Sequence, residues 1–305
     1  MGAHVVALNA HPGDVVGAFA FKRTGAKSAR CSVTLRKKQR LLAALALFFA
    51  VWGPALADSC RPPRLEAARD AVANERLEIE LANGRVIRLA GVESPLVRGA
   101  DPAAMQSAAD DLALWTSTPI SVFILKDQPD RWGRVEGRAF IAEKGYAPDL
   151  LPSLSEAIID AGLARVDPST ETRPCLDRLY LAEQRARSAG RGLWTDPAFA
   201  VLDASRPQDF KGSAGAVTII EGRVASVRAG RGMTFVNLGA GGPQSPALTL
   251  GRDALRLMQR EGLEPQALTG QNIRARGVLD LRAGQRIEVT GPGAIEVLVD
   301  TSLGR

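Results

Sequence analysis

Gly84 to Val92 reads GRVIRLAGV, and further along Asp130 to Arg134 reads DRWGR. Just before the first stretch, Leu77, Ile79 and Leu81 alternate with Glu78 and Glu80, the period of a half-buried strand. Asn83-Gly84 is a hairpin signal, because both residues tolerate the positive φ of a tight turn, and Val86 to Val92 then returns as the next strand. Glu78 and Glu80 are expected on the wet face of this pair. Ile120 to Leu125 (ISVFIL) and Val135 to Ala142 predict two more strands, on either side of DRWGR. Asp101-Pro102 opens a helix carrying Met105, Ala109, Leu112 and Trp115 at spacings of three or four. Ser153 caps a short helix with Glu156 completing a capping box, and Pro174 starts a longer one through Leu176, Leu179, Tyr180, Ala182 and Ala186. Strands first and helices late predict an α+β block that closes into a small five-stranded barrel with three helices.

Outward from that block the chain changes character. Pro207 to Gly215 (PQDFKGSAG) is polar and glycine-rich, which places a linker over 201–215 and the first block over 58–200. Beyond it, 216–305 predicts strands over Val217–Val227, Met233–Leu238, Ala247–Leu250, Ile273–Leu281 and Arg286–Thr290, with a short helix over Asp253–Gln259. Three strands, a helix and two strands is the order of an OB-fold. The fold class expected is α+β, mostly β, with two OB-fold-like five-stranded barrels.

The sequence pI of 9.6 belongs to the leader and not to the body. Eight of the 39 Lys and Arg residues fall in 1–57 against the single acid Asp14, leaving 31 basic and 32 acidic residues in 58–305. A net-neutral body predicts only weak non-specific nucleic-acid binding, which depends on neutralising phosphates. Within 1–57, Arg36-Lys37-Lys38-Gln39-Arg40 precedes an apolar run from Leu41 to Trp52, a Gly53-Pro54 break and the small-x-small triplet Ala55-Leu56-Ala57. That is the layout of a signal peptide cleaved after Ala57, giving an exported, periplasmic or secreted protein with no integral span, a retained N-terminal anchor being the alternative. Cleavage removes both histidines, His4 and His11, and with them Ser-His and Cys-His dyads. It also removes Cys31, leaving Cys60 and Cys175, a pair that in an oxidising compartment reads as a disulfide, a reactive thiol being the alternative.

The blocks GRVIRLAGV and DRWGR are joined by Ile158 to Val166 (IIDAGLARV), Ala182 to Arg187 (AEQRAR) and Arg191 to Trp194 (RGLW). In this order they resemble the staphylococcal-nuclease-like (thermonuclease) family, an OB barrel with helices that cleaves nucleic acid using calcium. The second block looks like the OB-like domain that follows this nuclease domain in some bacterial envelope proteins. The resemblance implies that Arg88 and Arg134 are the two arginines that bind phosphate and stabilise the transition state, a role suited to bidentate guanidiniums. It implies that Glu93 takes the place of the metal-binding Asp, with Ser94 following, and that Glu75 is the nearest candidate for the second metal carboxylate. It also sets Leu96 where the family has the glutamate that handles the attacking water. General-base catalysis typically contributes about 10²–10⁴-fold, so this departure alone leaves turnover open.

Two functions follow, from different classes. One is a calcium-dependent phosphodiesterase of reduced or altered activity, with Arg88 and Arg134 clamping phosphate and Glu93 holding the ion. The other is a catalytically degenerate envelope binding module for nucleic acid, glycan or protein. Without the resemblance, Arg88 and Arg134 read as solvated arginines and Glu93 as a turn carboxylate. Trp115, Trp132 and Trp194 sit beside periodic apolar residues and are expected in core packing. Arg185, Arg187 and Arg191 form a basic patch at a helix C-terminus, where the dipole favours cations.

Overall fold

The computed structural model describes residues 60, 66–68, 71–74, 76–94, 110–115, 117, 119–141, 153–240, 245–282 and 284–298. The leader, the Asp101-Pro102 helix start, Met105, Ala109, Glu75 and Leu96 lie outside these. The described chain is a mixed α+β protein, rich in strands, whose sheets curl around two separate apolar cores. No described helix is long and apolar enough to cross a membrane.

The first sheet contains β1 (Glu66–Ala68), β2 (Val72–Ala73), β3 (Glu78–Glu80), β4 (Val86–Leu89), β6 (Ile120–Lys126) and β7 (Arg134–Ile141) in the order β1-β6-β7-β4-β3-β2. Its two edges, β1 and β2, are neighbours in sequence, so the sheet curls back towards itself. The expected hairpin is present: Ile79 pairs with Ile87, and Gly84 takes a φ of 80°. A small second sheet joins β5 (Val92–Glu93) to β8 (Arg165–Val166). Helical residues 110–115 (α1) bury Leu112, and Trp115 packs on the same core. α2 (Leu154–Asp160) begins at Ser153, whose hydroxyl accepts from the Glu156 amide, while the Glu156 carboxylate pairs with Arg178 rather than closing a capping box. α3 (Arg173–Ser188) buries Leu176, Leu179, Tyr180, Ala182 and Ala186, the stripe its spacing predicts.

In the C-terminal half, β10 (Val217–Ala229), β11 (Met233–Leu238), β12 (Ala247–Gly251), β13 (Asn272–Asp280) and β14 (Arg286–Val289) match the expected strands. Their pairings make a circuit, β10-β11-β12-β14-β13-β10, with only β12–β14 parallel. α4 (Arg252–Arg260) follows β12, and β15 (Ile295–Val297) adds to β13. The stretch 201–215, expected to be a linker, carries order of its own. Leu202–Asp203 forms β9 alongside β10, and a 3₁₀ segment over Pro207–Ser213 buries Phe210 completely. One aromatic anchor outweighs the polar composition around it.

The two halves meet along α3. Cys60 and Cys175 form a disulfide, both buried, which ties the start of the described chain to the first turn of α3. From the same helix, Glu183 takes the Arg276 guanidinium of β13 at 2.9 and 2.6 Å, and the Tyr180 hydroxyl donates to the Gly293 carbonyl. Arg276 also reaches Glu296, which takes Arg274, which takes Glu221, which accepts from Arg187 of α3. The Arg276 guanidinium lies 4.5 Å from the Tyr180 ring, and burial pushes that phenol well above its ordinary pKa.

Candidate functional site

DRWGR is first of all a turn. The Asp130 carboxylate accepts from the Trp132 and Arg134 amides, and Gly133 takes the positive φ of 79° that closes the loop. The turn delivers Arg134 to the start of β7, which runs parallel to β4 with Val86 opposite Arg134 and Arg88 opposite Glu136. Along these strands Ile87, Leu89 and Val135 face the core, so Arg88 and Arg134 stand on the opposite face. Glu93 sits on β5 just beyond. Arg88, Arg134, Glu93 and Ser94 line one cavity of about 930 Å³, with Val217, Val278 and Glu288 from the C-terminal half contributing to its wall. Arg88, Arg134 and Glu93, the charged residues that the resemblance singled out and the structure describes, are therefore brought together with Ser94.

Each of them already has a counter-charge. Arg88 donates to Asp167 at 2.5 Å, and Asp167 is fixed by accepting from the Ser169 amide and hydroxyl. Arg134 donates through Nε and Nη2 to Asp130 and through Nη1 to Glu78 at 2.6 Å. These bonds hold the Asp130 carboxyl at about 2, below the usual carboxylate range. Both Glu93 oxygens take Nη2 of Arg165 at 2.8 Å, and Arg165 is only 1% exposed. Glu78, expected on a wet strand face, is instead buried under Arg134 and Asn74. The alternation correctly separates Ile79 from its neighbours, but the solvent side at Glu78 is roofed by a guanidinium from β7.

The donor set around Glu93 does not fit calcium. A hard divalent ion wants about 6–8 oxygens, whereas here an arginine occupies the carboxylate. Among the described residues no group of three or more His, Cys, Asp or Glu side chains could hold a metal ion. Glu75 and Leu96 lie outside the described residues.

Trp132 corrects the core-packing expectation. It is 59% exposed, flanked by the Arg131 and Arg134 guanidiniums at 3.8 and 4.6 Å from its ring centroid, and it lines the cavity beside exposed Arg76. A turn tip has no core to pack into, whatever its neighbours in sequence. The basic patch at the end of α3 is likewise spent internally: Arg185 and Arg191 both pair with Asp160, and Arg187 with Glu221. Asp167, Arg165 and Glu78 were not foreseen as members of the site. Arg165 lies in one of the quoted blocks and Asp167 follows it, but nothing in the spacing names Arg88 or Glu93 as partners. Comparison with protein-family models and with curated proteins returns no match.

Proposed function

We propose that the chain is an exported protein of two OB-like barrels, resembling the thermonuclease-like kind, whose former cleaving pocket works as a binding cavity and not as a phosphodiesterase centre. The observation that carries this reading is that Arg88, Arg134 and Glu93 share one cavity and are each neutralised from within the chain. A phosphate taking either arginine would have to share it with a carboxylate already held by charge-assisted bonds, each worth roughly 1.5–3 kcal/mol, and would meet that carboxylate's negative charge. At Arg134 it would meet two, Asp130 and Glu78. Arg165 supplies beside Glu93 the positive charge that a metal ion would otherwise bring. With its charges paired, the cavity presents apolar wall from Val217 and Val278, beside the guanidinium-flanked ring of Trp132. This suits a ligand with an apolar or planar body better than a polyanion.

The opposing reading, an altered calcium-dependent phosphodiesterase, rests on one specific observation: Arg88, Arg134 and Glu93 do line the same wall. Thermal unfolding separates the two. A ligand at a hundred times its Kd adds about 2.7 kcal/mol to stability. For a chain of this size that raises the midpoint by several degrees. The binding-cavity reading expects no such rise with millimolar calcium and a nucleoside 3′,5′-bisphosphate together. A rise of several degrees that needs both additives, and is lost in Arg88→Ala, contradicts it.

A further inference from the structure

Several arginines of the C-terminal half are consumed by neighbours: Arg274 and Arg276 in the network with α3, Arg256 by Asp253, Arg282 by Asp280. Around the turn between β10 and β11 three others are not. Arg228, Arg231 and Arg252 are exposed, and no described carboxylate lies within ion-pair distance of them, whereas Arg286 lies across from Asp280 in the strand register and helps to hold that carboxyl low. An aromatic ring stands beside the turn. β11 sends Thr234, Val236 and Leu238 inward, which turns Phe235 outward, directly across from Arg228 in the strand register. The Arg286 guanidinium lies over the Phe235 ring at 5.5 Å.

The two glycines of the turn make room for this arrangement. A Cβ at Gly230 would come within 3.1 Å of the Phe235 ring edge. One at Gly232, where φ is +77°, would come within 3.3 Å of Arg252 Nε. Ring edge and guanidinium therefore lie close against bare backbone.

We propose that this face binds single-stranded nucleic acid, with a base stacked at Phe235 and phosphates taken by Arg228, Arg231 and Arg252. All three cations are arginines, whose planar forks bind phosphate in two-point fashion and also stack on rings. An aromatic ring beside unpaired cations is what a strand with unstacked bases can use and a duplex, whose base faces are hidden, cannot. The ring also disfavours a plain polyanion, which would gain nothing from it. The site is separate from the cavity of the first sheet and does not depend on how that cavity is read.

The test is fluorescence anisotropy of a labelled oligothymidylate with the purified protein across a salt series. Binding is expected to weaken with salt, with a slope of about −0.7 per phosphate contact. The triple variant Arg228→Ala/Arg231→Ala/Arg252→Ala should bind at least 30-fold more weakly, by order of magnitude, and flatten that slope by about two. Phe235→Leu should cost about tenfold with the slope unchanged. A charge-removing control away from both sites, Lys211→Ala, should leave binding as it was, and all variants should keep the parent melting temperature. Inorganic polyphosphate and heparin should compete only weakly at equal charge. Absence of binding overturns the inference. So does equal competition by polyphosphate with no effect of Phe235→Leu, which describes a general polyanion patch. Loss of binding in Arg88→Ala but not in the triple variant overturns it too, because it places the strand in the cavity.

Discussion

Glu183→Ala is expected to destabilise the folded chain by about 3–5 kcal/mol, the cost of leaving a buried charge without its partner. Glu183 and Arg276 are both almost wholly buried, and their two-point pairing is the centre of the contact between α3 and β13. Removing the carboxylate strands Arg276 with only Glu296, and also orphans the Val166 amide that Glu183 accepts from. The pair itself is not expected to be worth that much. Replacing both residues by well-packed apolar ones, Glu183→Leu with Arg276→Met, should come close to the parent stability, since desolvation of two charges roughly cancels their attraction. Urea unfolding of the two single variants and the double variant checks both expectations. Singles that lose less than about 1 kcal/mol would mean that water reaches the pair.

The second large effect is expected from reduction. The Cys60–Cys175 bond spans a sequence separation of 115 residues, so it removes much chain entropy from the unfolded state. Loss of a native bond of this kind costs about 2–5 kcal/mol. For a chain of this size that lowers the melting temperature by roughly 5–15 °C. The check is a pair of thermal scans with and without reductant, beside a Cys60→Ser/Cys175→Ser variant. The reduced parent and the double variant should melt together. An unchanged midpoint would show that the bond does not constrain the folding chain.

What could be read from sequence divides by the range of the interaction involved. Alternation through Leu77, Ile79 and Leu81, the Asn83-Gly84 turn, the cap at Ser153 and the first-turn Pro174 are local signals, and the strands and helices they predict are present. β1 and β2 escaped because Glu66-Ala67-Ala68 and Val72-Ala73 are too short to show a period. The 201–215 stretch escaped because Phe210 is a lone anchor in polar company. The convergence of Arg88, Arg134 and Glu93 was reachable only through the order of several short blocks, each weak alone. Their neutralisation was not reachable at all. Asp167 lies 79 residues from Arg88, Arg165 lies 72 from Glu93, and Glu78 lies 56 from Arg134. Glu78, Arg165 and Asp167 each look in sequence like solvated charges beside apolar neighbours. Only a folded chain shows that they answer the charges of the cavity one for one.

That answering of charges is the centre of the account, and cleavage is its most direct test. Purified protein spanning 58–305 is incubated with single-stranded DNA in calcium and in chelator, beside Arg134→Ala. The account predicts no calcium-dependent cleavage above background, and identical traces for parent and variant. Calcium-dependent cleavage by the parent that Arg134→Ala abolishes would show that the guanidinium is free to meet a phosphate after all, and would contradict it.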